Sequence, residues 1–312
     1  MSSSTESGSY EAQPRTSPVT GAPYRNALVI ANPISGRGQA AKAAKELREG
    51  LRSLGVAAEL YLTQGRGDAF SHLRTLAEPV DLVVSVGGDG SLREVLEGLV
   101  DPATPVSMLP FGTANVLAKE LGLPRDVHHH LEILMRHRVV NVDVAKVNGK
   151  LSLLMTGVGF DAEVVREVER RRKGPISKLA YLSASLRAIR NYKPPRLRVS
   201  LDGKALPDEV GFVLISNTMN YGAVLHLAQD TRMDDGEFEV YLFPTGRLLE
   251  LGSAFIRGVV GHLPAGKVRM LRAKSISVES AEPVAVQVDG DPAGDTPVEI
   301  HVAPNRYRLV VP

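Results

Sequence analysis

Residues 81–100 read DLVVSVGGDGSLREVLEGLV. An apolar run, Leu82 to Val86, ends in Gly87-Gly88-Asp89-Gly90, after which Leu92, Val95, Leu96 and Leu99 recur at helical spacing. Strand, glycine turn and helix in that order form the repeating unit of a parallel α/β sheet, whose strands are buried on both faces and lack polar alternation. The same grammar stands upstream. Residues 27–31 (ALVIA) lead through Asn32-Pro33-Ile34-Ser35-Gly36-Arg37-Gly38 into Ala40, Ala44, Leu47, Leu51 and Leu54, closed by Gly55. Val56 to Leu62 predicts a further strand, and Asp68 an N-cap for a helix through Ala77. Downstream, Val106 to Leu109 passes through Pro110-Phe111-Gly112-Thr113-Ala114-Asn115 into another helix. Residues 25–143 are therefore expected to fold as a doubly wound α/β domain that binds its ligand beyond the carboxyl ends of the strands.

From about Asp143 the pattern changes. Short strand-like runs at 139–147, 150–155, 196–201, 210–216, 237–243, 274–279, 284–288 and 298–302 are punctuated by Asn148-Gly149, Asp202-Gly203, Asp235-Gly236 and Asp289-Gly290, dipeptides suited to hairpin turns. Residues 144–312 are expected to be mainly antiparallel β, with helical insertions near 161–191, broken at Gly174-Pro175, and near 245–260. Residues 1–24, rich in Ser, Thr, Pro and Gly, are expected to be a disordered leader.

Composition narrows the chemistry. The 312 residues are 43% apolar and 23% charged, enough for two packed domains. The chain has no cysteine, which excludes disulfides, a thiolate nucleophile and Cys-type zinc sites. No apolar run approaches the ~18 residues of a membrane span, and the N-terminus does not read as a signal peptide, so an intracellular protein is expected. With 37 basic and 35 acidic residues the net charge is +2, and no global field points to nucleic acid.

Three glycine-bearing loops, Ser35 to Gly38, Gly87 to Gly90 and Gly112 to Asn115, follow three separate strands and would meet at one edge of the sheet. Each opens a helix whose free amides favour an anion, so together they predict a phosphate cradle. Taken singly, each is also explained as a tight turn. Gly36-x-Gly38-x-x-Ala41 with Glu59 further satisfies a dinucleotide fingerprint, but that does not account for the other two loops. No G-x-x-x-x-G-K-[ST] sequence is present. Asp89 amid bound phosphates calls for an intervening Mg²⁺, or else caps the helix near Ser91. Asp234-Asp235-Gly236 and Asp289-Gly290-Asp291 each place two acids about a sharp turn; they suit a metal or a general base, or are solvated hairpin tips. His128, His129 and His130 are expected on a solvent-facing helix, and Arg170 to Lys173 on a solvated face or against an anionic membrane.

In their order, Asn32-Pro33-x-Ser35-Gly36-x-Gly38, Gly87-Gly88-Asp89-Gly90-Ser91 with Glu94-Val95, Gly112-Thr113-Ala114-Asn115, Gly159-Phe160-Asp161-Ala162, Asp234-Asp235-Gly236 and Asp289-Gly290-Asp291 resemble the bacterial lipid kinases of the diacylglycerol kinase catalytic-domain family, with sphingosine kinases as relatives. The resemblance spans residues 25–312. It implies an ATP- and Mg²⁺-dependent lipid kinase with a nucleotide-binding α/β domain, a β-sandwich domain for the lipid, and the active site between them. By motif position, Asn32 to Gly38, Thr63, the Gly87 to Arg93 segment including Ser91 and Leu92, Glu94, Thr113 and Asn115 would hold ATP. Asp289, Asp291 and Asp89 would be catalytic. Asp235, with the carbonyls of Arg232 and Glu237, would hold a structural Mg²⁺, and Asp143 and Asp161 would join the metal network or approach the lipid headgroup. Asp291 stands where the family has Glu, Ser91 where Thr is commoner, and Val116 where an acid often follows. The expected partner is a lipid, diacylglycerol foremost, at the inner membrane face. The rivals are a soluble-substrate kinase resembling NAD kinase and a catalytically silent nucleotide or lipid sensor. No motif sets the oligomeric state.

Overall fold

The uninterrupted apolar runs become strands of one sheet because both their faces must be covered. The computed structural model describes residues 22–170, 192–221, 225–227, 230–245, 267–303 and 306–312. β1 (Asn26–Ala31), β2 (Ala57–Leu62), β3 (Leu82–Gly87) and β4 (Pro105–Pro110) lie in the order β2-β1-β3-β4, all parallel. Between and after them come α1 (Gln39–Ser53), α2 (Asp68–Arg74), α3 (Asp89–Gly98), α4 (Val116–Glu120) and α5 (Val127–Arg136). Alternate residues along each strand serve opposite faces. Val29, Val84 and Val86 pack with Ala44, Leu47 and Leu51 of α1 and Ile133 and Leu134 of α5. Leu28, Ile30 and Val83 pack with Leu73 of α2 and Leu92, Val95 and Leu96 of α3. Each such aliphatic side chain contributes about 1.5–3 kcal/mol by leaving water.

The run at 139–147 divides into β5 (Val139–Val142) and β6 (Ala145–Val147), because Asp143 turns inward to accept the Gly236 N–H. β7 (Lys150–Ser152), β8 (Met155–Val158) and α6 (Phe160–Arg170) follow. The remaining strands are β9 (Leu197–Leu201), β10 (Lys204–Ala205), β11 (Val210–Ser216), β12 (Asn220–Tyr221), β13 (Leu225–His226), β14 (Phe238–Pro244), β15 (Arg269–Ala273), β16 (Ser275–Ser280), β17 (Ala285–Val288), β18 (Asp291–Asp295), β19 (Val298–Val302) and β20 (Tyr307–Val310). Most join one antiparallel sheet with the backbone order β18-β17-β8-β11-β9-β16-β19-β6-β7, while β14 extends it from β11 and β15 from β14. Its core is Val158, Val199, Val213, Ile215, Val240, Ile276, Val286 and Ile300. The expected α/β domain followed by an antiparallel β domain is the observed fold. β20 crosses the division expected at 143/144: it inserts between β4 and β5 in the first sheet, parallel to one and antiparallel to the other.

Local expectations need correction at three places. Asp68 is not the cap of α2; Gly67, at φ +78°, is, and Asp68 instead accepts the Gln64 N–H (2.7 Å) and the Tyr61 O–H (2.9 Å). Tyr24, assigned to the disordered leader, is buried and packs edge-on against His137, whose Nδ1 lies 2.8 Å from its hydroxyl. The histidines of α5 diverge as expected, but His130 does not face solvent: it is fully buried, with Nε2 3.1 Å from Ser107 Oγ. The basic run beyond Arg170, the rest of the 161–191 insertion, and 246–260 of the other lie outside the described residues.

Burial pushes the His130 imidazole down to about 4, against about 6.5 in an unfolded chain. The unfolded state therefore binds the extra proton between these values. The stabilisation is complete above about pH 6.5 and is lost as pH falls towards 4. His130→Leu should flatten the dependence of folding free energy on pH across that window by up to about 1.4 kcal/mol per pH unit. Denaturant melts at several pH values measure it, and parallel curves for the two proteins would contradict it.

Candidate active site

The carboxyl ends of β1, β3 and β4 share one edge, and their loops are tied together by the backbone. Asn32 N–H donates to Val86 O (3.1 Å), while Phe111 and Gly112 N–H both donate to Gly87 O (2.7 and 3.1 Å). Asn32 folds its own loop by accepting the Ile34 N–H on Oδ1 (3.2 Å) and the Ser35 N–H on its carbonyl (3.1 Å). Beyond Pro33, the turn Ser35–Gly38 carries Gly36, Arg37 and Gly38 at φ +59°, +58° and +86°. A Cβ on Gly112 would collide with Gly88 Cα, so the second and third loops touch through bare backbone. Arg125, which sequence reading missed, stacks its guanidinium on Phe111 at 4.4 Å and donates to Gln39 Oε1 (2.8 Å), bracing the first loop. Thr63, at the end of β2, donates its N–H to Ala31 O (2.9 Å). The edge so formed exposes Ile34, Arg37, Gly38, Gly90 and Thr113, with Ser91 and Glu94 half-buried beside it. Backbone amides at helix openings next to an exposed guanidinium suit a polyphosphate. Leu92, expected among the ATP-binding residues, has its side chain fully buried in the core, and its N–H closes the first turn of α3 on Gly88 O.

Asp89 does not cap its own helix, whose N-cap is Gly88. Its two carboxylate oxygens accept the Val116 and Leu117 N–H groups (3.1 and 3.2 Å), so it caps α4 from a neighbouring loop. Burial raises its carboxyl pKa and these amides oppose the rise. Asn115 supplies the bend before α4 at φ +48° and donates Nδ2 to Gly112 O (2.9 Å). At the other end of α4, Glu120 accepts the Met219 N–H (2.9 Å) and Asn220 Nδ2 (2.8 Å). This short helix thus links the loop edge of the first sheet to the β domain through an acid at each end.

The two acids of the Asp289-Gly290-Asp291 turn have unlike surroundings. The turn joins β17 to β18 with Val288 paired to Asp291, and both central residues are left-handed, at φ +50° and +84°. The Asp289 carboxyl is 2% exposed and accepts three backbone N–H groups, from Leu153 (2.9 Å), Leu154 (2.8 Å) and Met155 (2.9 Å). Burial raises its pKa, while Arg93, 4.0 Å away, and the three amides lower it. The Asp291 carboxyl is 25% exposed. Arg93 Nη2 and Arg66 Nη2 both pair with its Oδ2, the latter at 2.9 Å. Arg93 also donates to Val288 O (3.2 Å). Its guanidinium therefore faces the acid turn of the β domain, whereas motif position placed it on ATP. Arg66, between Gly65 and Gly67, carried no signal in the sequence.

Asp161 is buried and accepts a hydrogen bond from Gln287 Nε2 at 2.6 Å. Asp143 is equally buried; Oδ2 accepts the Gly236 N–H, and Oδ1 is 2.9 Å from Arg306 Nε as an ion pair without hydrogen-bond alignment. Burial raises its carboxyl pKa. Asn217 donates Nδ2 to Asp143 O (2.7 Å), while its own Oδ1 and the Oε2 of Glu239 have no hydrogen-bond partner among the described residues. Asp235 is exposed at the adjoining turn, with Oδ1 accepting the Glu237 N–H (3.1 Å), and Arg232 is held by Asp234 (3.1 Å). No group of three or more His, Asp or Glu side chains that could hold a metal occurs among the described residues. The oxygens here without a hydrogen-bond donor among the described residues belong to Asp143, Asn217 and Glu239, and oxygen-only surroundings of this kind are the chemistry a hard cation such as Mg²⁺ takes.

Comparison with known proteins agrees with this two-part arrangement. Residues 26–147 match the diacylglycerol kinase catalytic domain, and residues 155–311 match the YegS C-terminal NAD kinase beta sandwich-like domain. The diacylglycerol kinase of Staphylococcus carnosus (strain TM300) is 28% identical over 277 residues, covering 88% of this chain and 90% of the relative. That of Bacillus subtilis (strain 168) is 26% identical over 295 residues, covering 92% and 97%. The crystal structure of a diacylglycerol kinase from Bacillus anthracis str. Sterne has the same fold, with a TM-score of 0.73 at 21% identity over 93% of this chain and 98% of that one. With both of its domains matched in order along nearly the whole described chain, this protein belongs to the diacylglycerol kinase catalytic-domain family of kinases.

Proposed function

We propose that the chain transfers the γ-phosphate of ATP to a hydroxyl of a membrane lipid, diacylglycerol foremost, in a Mg²⁺-dependent reaction with Asp291 as proton acceptor. The observation that carries this reading is the contrast within one turn: Asp289 is consumed by three amides, whereas Asp291 keeps a partly exposed carboxylate beside Arg66 and Arg93 of the α/β domain. The family match and the names of the relatives support the kinase and its acceptor class.

In this mechanism the loop amides of Ser35 to Gly38 and Gly87 to Ser91, with Arg37 and Thr113, orient the polyphosphate. Asp291 takes the hydroxyl proton as the lipid oxygen bonds to the γ-phosphorus and the bond to the β–γ bridging oxygen breaks, releasing ADP. Such a transition state needs positioning and charge neutralisation more than covalent help. Arg66 and Arg93 flank the carboxylate and the transferred group with positive charge. Mg²⁺ would neutralise phosphate charge, and at Asp235, with the carbonyls of Arg232 and Glu237, it would brace the β domain. No helix of the described residues is long and apolar enough to cross a membrane, so the lipid would be met at the inner membrane face by an enzyme visiting from the cytoplasm.

Because Asp291 has Asp in place of Glu, its carboxylate sits one methylene further back, and the catalytically silent sensor remains the rival to test. Transfer of labelled γ-phosphate from ATP into a mixed lipid extract is the test. Asp291→Asn should lower turnover by roughly 10²–10⁴-fold and leave ATP affinity near wild type; unchanged turnover removes Asp291 from the chemistry. Asp289→Asn should instead cost about 1–3 kcal/mol of stability, since an amide N–H₂ would face backbone donors. Label in NAD but not in lipid would select the soluble-substrate kinase, and binding without transfer the sensor. Mg²⁺ should raise the melting temperature of wild type, and Asp235→Ala should abolish that rise. An equal rise in both would place the cation elsewhere.

A further inference from the structure

Asp161 and Gln287 are 5% and 1% exposed, so neither side chain is placed to meet a substrate, yet both are polar and both are satisfied. Gln287 Nε2 donates to Asp161 Oδ2 at 2.6 Å, and Gln287 Oε1 accepts the Gly290 N–H at 2.8 Å. Chemistry fixes the direction of this relay. An ionised carboxylate only accepts, so it holds the N–H₂ end of the amide and leaves the carbonyl end for the backbone donor. The space is also made for it. Gly157 is the β8 register partner of Gln287, and a Cβ there would collide with Asp161 Oδ2 and lie 3.0 Å from Gln287 Nε2.

The bonded N–H belongs to the central peptide of the Asp289-Gly290 turn. Both central residues are left-handed, the I′ arrangement, and the II′ alternative is closed to a non-glycine first residue, so what the bond governs is the tilt of the turn against β17. The Gln287 carbonyl accepts only in the observed orientation, with Gly290 at φ +84°. Without that acceptor the Gly290 N–H is left unpaired and the turn can tilt, carrying the chain that enters Asp291 with it.

We propose that Gln287, held in one orientation by Asp161, is a positioning residue that locks this peptide and thereby aims the Asp291 carboxylate into the cleft. The proposal rests on the kinase reading and assigns Asp161 a role apart from metal or headgroup. It predicts a rescue that a merely structural contact would not give. Gln287→Glu sets a second carboxylate against Asp161. Adding Asp161→Asn restores a donor at position 161 while keeping an oxygen towards Gly290.

Gln287→Glu and Gln287→Leu should each lose roughly 10- to 100-fold in kcat, with KM for ATP and lipid changed by less than about threefold, assayed at a temperature where each variant is fully folded because the buried mismatch lowers the melting temperature. The double variant Asp161→Asn/Gln287→Glu should recover most of that loss. Wild-type kcat in the single variants, or a double variant no faster than Gln287→Glu at equal melting temperature, would overturn the proposal. Amide hydrogen exchange gives a readout independent of turnover. In Gln287→Leu the Gly290 N–H should lose protection, while the Asp289 N–H, bonded to Met155 O at 2.9 Å, keeps it. Unchanged protection at Gly290 sinks the relay. Lost protection in a chain whose wild type phosphorylates nothing would uphold the relay and sink the kinase reading instead.

Discussion

The cleft depends on one buried charge. A carboxylate taken out of water is tolerable only when donors replace its hydration, and Asp289 obtains three from the consecutive amides of Leu153, Leu154 and Met155 and a fourth partner in Arg93. The amides come from the β7–β8 connection, the acid from the β17–β18 turn and the guanidinium from α3. One anion thus fastens two parts of the β domain to the helix that opens at the second glycine loop. The half-buried Asp291, one residue beyond the turn glycine, inherits its position from that fastening.

Other acids of the family motifs do similar work. Asp89 joins the second loop to the start of α4, and Glu120 at the end of α4 reaches the β12 segment. Asp143 takes the Gly236 amide and Arg306, so the residues before β6 are held to the Asp235 turn. In each of these cases a backbone N–H meets a carboxylate. Such bonds are shorter-ranged and more directional than pairing between two flexible side chains, and they are roughly twice as strong as neutral ones.

The fold was legible where the local pattern admits one physical outcome. β1, β3 and β4 are continuous apolar runs closed by glycine or proline, and Asn148-Gly149, Asp202-Gly203 and Asp289-Gly290 adopt the left-handed pairs their residue types favour. β15 and β20 were missed because Arg269–Ala273 carries two arginines on an exposed edge and Tyr307–Val310 is only four residues long. At the site, the loops and the acid turn could be named in advance. What could not be read was the division of labour between Asp289 and Asp291, which are the same residue type two positions apart and differ only in burial. Arg66, Arg125 and Gln287 match no spacing rule, and Leu92 shows the converse: a motif position whose side chain belongs to the core.

The return of β20 to the first sheet has a consequence for synthesis. Until Tyr307–Val310 have left the ribosome, β4 presents an unpaired edge and β5 has no neighbour through which to join the sheet. The α/β domain is encoded first but is completed last, so the nascent chain carries an open strand edge throughout translation of the β domain. Such edges invite pairing with other chains, which makes the interval between the two domains the period when this protein most needs protection.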